Sequence, residues 1–450
     1  MPSLQVGEVQ IQRRSVTNNT LNNINDPIKI SLHDCLACSG CVTTAETVLL
    51  EQQSISQFTD TLKRGSAFVV VTLSLQSVAS ISEKYKLCPE SVIRKLASIF
   101  RSQGAQAVFD IQTACDLALI ENYAEFKRRL QSQENLPMMT SACPGWVCYV
   151  EKSHPQLLPF LSTVKSPQGI MGTLLKRYWA PSRGKSAKDV YHVTVMPCYD
   201  KKLESVREEL MMGDIPETDC VLTTGEVESW LERLGISILD VPEIDVDDLV
   251  HAETYQDRDV DMMAADGDAD FHCVQNLLPE SGRNVESGGY LDHVYRLMSS
   301  QYNLQLNVDD ISLQFGRNAD IKESTLTLDH DAINFAIING FRNIQGLVRR
   351  IKKRSCKYHY VEVMACPSGC INGGGQLSVS SDRSYALSDM KDRVAFLRRL
   401  SHKDHHTSQQ CTLIYQHWIH GAPGSLEAQH VFATSFRERK MISGASPADW

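Results

Sequence analysis

The chain has 450 residues, of which 42% are hydrophobic and 22% charged, and its formal net charge is −9. That is apolar material for a large core or for roughly two or three lobes of ordinary domain size, and it argues against wholesale disorder. The acidic balance speaks against tracking nucleic-acid phosphates, and no apolar stretch approaches the ~18–20 residues of a membrane span.

Residues 1–30 read as a polar, Asn-rich flexible arm. They lack the apolar core of a secretory signal, so the expected compartment is the cytoplasm, with the nucleus also open to the chain. Residues 31–65 hold a first cysteine cluster, Cys35-Leu-Ala-Cys38-Ser-Gly-Cys41. Thiolates at this spacing, with small residues between them, can wrap one iron–sulfur cube, and zinc is the competing metal. The spacing is that of bacterial ferredoxins without the usual continuation, so the fourth ligand stays open; Cys88 and His33 are the nearest alternatives.

From residue 66 the pattern alternates. Ala67–Leu73 predicts a buried parallel strand, residues 90–102 an amphipathic helix, and Ala105–Asp110 a second strand. Residues 115–131 read as a helix. Met138–Ala142 leads into Cys143-Pro-Gly, Asp189–Met196 is a strand ending at Pro197-Cys198, and Cys220–Leu222 is another. Residues 239–287 are rich in Asp (Asp245, Asp247, Asp248, Asp257, Asp259 among them) and read as an acidic insertion or linker. They lack the spacing and closing Glu of a calcium loop. Tyr358–Met364 predicts a strand running into Cys366-Pro-Ser-Gly-Cys370-Ile-Asn-Gly-Gly-Gly375. The run from His402 to His406 reads as a solvated loop. Strands alternating with helices predict an α/β architecture with mainly parallel sheets.

Fourteen cysteines in a reducing compartment are not a disulfide framework. Cys143, Cys198, Cys366 and Cys370 each follow a strand candidate or a short apolar run, and the carboxyl ends of parallel strands are where such folds place their chemistry. Cys366 and Cys370 are four apart, so one helical turn would aim both thiolates the same way. The glycines after Cys370 would let backbone approach a bulky inorganic group. The other cysteines are taken as packing residues.

The segments Ser141–Trp146, Met196–Glu204 and Glu362–Gln376 resemble the three signature motifs of the iron-only hydrogenase catalytic domain. With the Cys35–Cys41 segment, the chain resembles the iron-only-hydrogenase-like assembly factors of the cytosolic iron–sulfur pathway, the nuclear prelamin A recognition factor-like family. The resemblance implies a two-lobed α/β domain with parallel sheets flanked by helices, preceded by a short ferredoxin-like segment. It places lobe 1 over residues 66–238, lobe 2 over 288–425 and a tail over 426–450. It implies two [4Fe–4S] clusters, one on Cys143, Cys198, Cys366 and Cys370 and one on Cys35, Cys38 and Cys41. It further implies a non-enzyme, because Ala142 stands where hydrogenases carry a proton-relaying cysteine; Lys201 and Glu204 are kept. Implied partners are apo iron–sulfur proteins and the cytosolic targeting complex, a WD40-repeat adaptor with its associated subunits. Trp450, with its terminal carboxylate, resembles the tail by which the family is captured. The competing readings are a hydrogenase or cryptic reductase, and a zinc-bound structural adaptor.

Overall fold

The computed structural model of the chain describes residues 53–250, 277, 286–302, 314–315, 318–327, 331–377, 383–400 and 405–439. The Cys35–Cys41 cluster and Trp450 lie outside the described residues, as do most of the Asp-rich stretch and His402.

Two sheets organise the described chain. In the first, β1 (Phe68–Leu73) pairs in parallel with β2 (Ala107–Asp110) and β4 (Val190–Met196), and β4 with β5 (Cys220–Thr223). The order β2-β1-β4-β5 needs crossovers, and helices supply them. The run Phe-Val-Val-Val-Thr-Leu of β1 shows why this sheet forms: it is β-branched and almost wholly buried, as a strand covered on both faces must be. Helices Leu75–Tyr85 and Pro89–Ser102 cover it, the second started by Pro89 in its first turn. Phe100 stacks on Trp230 in the core on that side, and Phe58 meets both rings edge-on.

The second sheet has the order β3-β9-β8-β7-β6. β3 (Met138–Thr140) and β9 (Tyr360–Met364) pair in parallel, and β9 pairs in parallel with β8 (Ala332–Asn339). β7 (Ile321–Thr327) and β6 (Gln314–Phe315) extend it antiparallel. Residues 66–238 thus feed both sheets, since β3 leaves the first half of the chain to join the second. The buried helix Gln112–Ser132 packs beneath, with Phe126 edge-on to Phe335 and Tyr360.

The strand expectations around Phe68, Ala107, Val190, Cys220 and Tyr360 are all realised as strands, and Met138–Thr140, read only as the lead into Cys143, is a strand as well. β7 and β8 carry no expectation from the sequence, although β7 alternates buried and outward residues in the manner of a half-covered strand. The start of the acidic stretch differs from a free linker. Asp247 N–H donates to the Val108 carbonyl at 2.8 Å and Asp247 Oδ2 accepts the Val108 N–H at 2.7 Å, and Leu249 and Val250 are buried. Here an Asp serves the edge of β2 rather than solvent.

Candidate iron–sulfur site

Three strands from two sheets end at the same place. β3 runs out at Thr140 into Ser141-Ala142-Cys143, β4 at Met196 into Pro197-Cys198, and β9 at Met364 into Ala365-Cys366. Cys143 is then the residue that starts the helix Pro144–Ser153. Ser141 ties this loop to β9: its Oγ donates to the Val363 carbonyl at 2.6 Å and accepts the Cys143 N–H at 3.0 Å.

Cys366 and Cys370 are joined by a tight loop instead of the expected helical turn. Ser368 and Gly369 both lie in the left-handed region, at φ 60° and 82°. A Cβ on Gly369 would meet Ser287 Oγ at 2.0 Å, so only glycine fits. The same Ser287 Oγ accepts the Cys370 N–H at 3.1 Å. The glycines beyond Cys370 also act differently from the expectation. A Cβ on Gly373 would strike the Pro197 carbonyl oxygen at 2.4 Å, and one on Gly375 would come within 3.1 Å of Cys198 Cα. They press two cysteine loops together. Gly375 N–H donates to Pro197 O, and Gly225 N–H to Gly375 O, both at 2.9 Å.

The outcome is a convergence of four thiols. Cys143 and Cys366 are buried, Cys198 and Cys370 half-buried. Burial pushes the Cys198 thiol well above its ordinary range, and Asp200 and then the three other cysteines push it further. Burial drives Cys370 up to about 12, with Cys143 adding to it and Lys201 opposing. Cys143 is raised by burial and Asp200, while backbone N–H groups of Ala365 and Trp146 directed at its sulfur pull the other way. Without a cation these thiols hold their protons; a bound metal would displace them.

The donor set fits a cubane. It is all sulfur, it comes from rigid strand ends, and peptide N–H groups point at the ligating atoms. Among the described residues no three His, Cys or carboxylate groups are gathered tightly enough to grip one metal ion. In a cubane each thiolate binds its own iron, so its ligands stand further apart than those of a single zinc.

Beside Cys143 lies a cavity of about 40 Å³, lined by Ala142, Lys165, Ser166, Glu204 and Arg207 among others. Lys201 Nζ pairs with Glu204 at 2.5 Å and donates to Ser166 Oγ at 3.0 Å, and Ser166 also donates to Glu204. Lys165 is paired with Glu217 at 2.5 Å. Sequence reasoning singled out Lys201 and Glu204, and Ser141 only as the first residue of the Ser141–Trp146 segment, but not Ser166, Lys165 or Arg207, which carry no local motif. Cys88 is exposed at the start of the helix Pro89–Ser102.

The family model described as "Iron only hydrogenase large subunit, C-terminal domain" matches residues 67–374. The chain belongs to the iron-only-hydrogenase-like family. Among curated relatives, "Cytosolic iron-sulfur assembly component 3" of Rattus norvegicus is 39% identical over 438 residues, covering 94% of this chain and 87% of the relative. "Protein NAR1" of Arabidopsis thaliana is 37% identical over 432 residues, covering 91% and 86%. Among solved structures, an apo variant of the [FeFe]-hydrogenase of Chlamydomonas reinhardtii matches with a TM-score of 0.70 at 25% identity, over 86% of this chain and 99% of that one. The two-sheet α/β architecture is therefore that of the hydrogenase-like fold.

Proposed function

We propose that the chain is a non-catalytic component of cytosolic iron–sulfur protein assembly, holding clusters on their way to apo-proteins. The observation that carries this is the meeting of Cys143, Cys198, Cys366 and Cys370 at the ends of three strands, in a chain whose relatives are named as assembly components. These four would hold one [4Fe–4S] cluster, which would supply a store of iron and sulfide and a one-electron centre. Cys35, Cys38 and Cys41 would hold the second. Apo iron–sulfur proteins and the targeting complex, a WD40-repeat adaptor with its subunits, would be the partners, with Trp450 as the anchor. The setting is the cytosol.

This chain's residues do three things for the buried cluster. The strand ends fix the thiols, the N–H groups of Ala365 and Trp146 offset negative charge at Cys143, and Lys201 favours the thiolate form of Cys143 and Cys370. Hydrogenase chemistry would need a positioned acid or base beside Cys143. Ala142 lines that cavity with a methyl group, and absence of such a group typically forfeits ~10²–10⁴ in rate. The kept Lys201–Glu204 pair favours the hydrogenase as the second reading, but the pair is closed on itself and on Ser166.

The test is rescue of cells depleted of their own copy, reading the iron content of a cytosolic client. Wild type should restore it. Cys366→Ala and a chain lacking Trp450 should both fail, with only the first losing its own iron. Rescue by Cys366→Ala, or hydrogen evolution by the anaerobically reconstituted wild type, would overturn the proposal.

A further inference from the structure

The last described residues do not simply trail off the fold. Ala433 forms an antiparallel bridge with Val164, Lys165 N–H donates to Phe432 O at 2.8 Å, and Thr434 N–H donates to Thr163 O at 2.7 Å. This lays residues 432–434 along the loop before the helix Pro167–Thr173. Thr434 and Phe436 thereby become walls of the cavity that also holds Cys143 and Ala142.

Beyond Phe436 the segment is held by charge. Glu151 is fully buried on the helix that Cys143 starts. Its carboxylate is gripped from the body by Arg207, at 3.0 and 2.5 Å. From the segment it accepts the Arg437 N–H at 3.2 Å and Arg439 Nε at 3.1 Å, while its backbone carbonyl accepts the Arg439 N–H at 3.1 Å. Arg437 and Arg439 each reach Glu209 at 3.1 Å as well. Arg207 closes the circuit, since it lines the cavity and lies 5.9 Å from the centre of the Phe436 ring.

The bland reading is a chain end resting on the surface. It does not explain why a buried carboxylate takes its remaining donors from that end, nor why the aromatic ring there lines a cavity together with Ala142 and the Cys143 thiol. It also leaves the ionic grip unexplained: the side chains of Arg437 and Arg439 are 53% and 32% exposed. A grip that water and salt reach is reversible in a way that a buried one is not.

We propose that residues 433–439 are a latch over the cavity beside Cys143, held shut by the Arg437 side chain on Glu208 and Glu209 and by Arg439 on Glu151 and Glu209. Release of the latch uncovers the Cys143 thiol. What this means for cluster handling rests on Cys143 being a ligand as proposed above; the latch itself does not.

The test is therefore made on the full-length, iron-free chain, by timed alkylation with iodoacetamide and site-resolved mass spectrometry. Cys411, buried against Thr113, is the internal reference. The double variant Arg437→Glu/Arg439→Glu should alkylate at Cys143 on the order of tenfold faster than wild type, with Cys411 unchanged, as expected for a local opening rather than a global one. Should the double variant fold poorly, wild type with rising salt gives the second reading: Cys143 should accelerate relative to Cys411 as the ion pairs are screened. An unchanged Cys143 rate in both arms, or equal acceleration at the two cysteines, overturns the latch. Iron counts on Cys366→Ala decide the cluster reading separately.

Discussion

Gly373 shows how little space the site leaves. Its missing Cβ is the reason the third cysteine loop can lie on the Pro197 carbonyl, and the atom it would strike is backbone, which cannot swing aside. Gly373→Ala should therefore cost about 1–3 kcal/mol as overpacking and misplace Cys198 relative to Cys370. The expected result is an iron content well below wild type and a lower unfolding midpoint. Gly346→Ala is the control, since nothing lies within 4 Å of the Cβ it would add. It sits inside the helix Phe341–Lys352, where replacing glycine gains up to about 1 kcal/mol of helix propensity. Equal iron loss in both variants would refute this account of Gly373. The spacing of the cysteines announced the ligands, but not the loop geometry. The contacts that demand glycine come from Ser287 and Pro197, which are distant in the chain, so the glycines read as room for a ligand when they are room for protein.

At the level of elements, β4 and β9 were legible because each is a short run rich in β-branched residues that stops just before its cysteine, whereas Met-Met-Thr of β3 is too short to mark a strand. β7 and β8 were not marked; in Ile-Lys-Glu-Ser-Thr-Leu-Thr the buried positions are Lys322, Ser324 and Leu326, so the alternation of burial does not show as an alternation of apolar and polar residues. The opening of the Asp-rich stretch misled because Asp is ordinarily a turn or solvent residue, whereas Asp247 completes hydrogen bonds at the edge of β2. The helix Gln112–Ser132 offers a prediction at this scale. Its Glu121 is buried, accepts the Tyr415 hydroxyl at 2.5 Å and the Gly424 N–H at 3.1 Å, and so fastens the C-terminal region to the core. Burial raises its pKa from 4.5 to about 7. Between those values the unfolded chain sheds a proton that the folded chain keeps, so rising pH favours unfolding. The contribution of this group is on the order of 3 kcal/mol, complete by about pH 7. Glu121→Gln does not titrate. Its stability difference from wild type, read from denaturant midpoints, should change by that amount between pH 4.5 and 7.5 in the variant's favour. A difference that stays constant with pH would contradict the assignment.

At the scale of the whole molecule, the architecture is a way of bringing remote sulfurs together. β3 and β9 end in one sheet and β4 in the other, and the glycine-pressed loops join their ends. Around that junction the fold is tied by buried pairs such as Lys202–Glu226 at 2.7 Å and Arg207–Glu151 at 2.5 Å, which fix geometry more than they add stability. The hydrogenase-like fold is kept, while Ala142 stands at the position the resemblance assigns to a proton relay. A scaffold built for redox chemistry is read here as a holder. The most direct test is Mössbauer spectroscopy on anaerobically prepared, iron-enriched protein, wild type beside Cys366→Ala. The account predicts [4Fe–4S] signals in wild type and the loss of one whole cluster's share in the variant, with any signal from the Cys35–Cys41 segment unchanged. Indistinguishable spectra from the two proteins would contradict it.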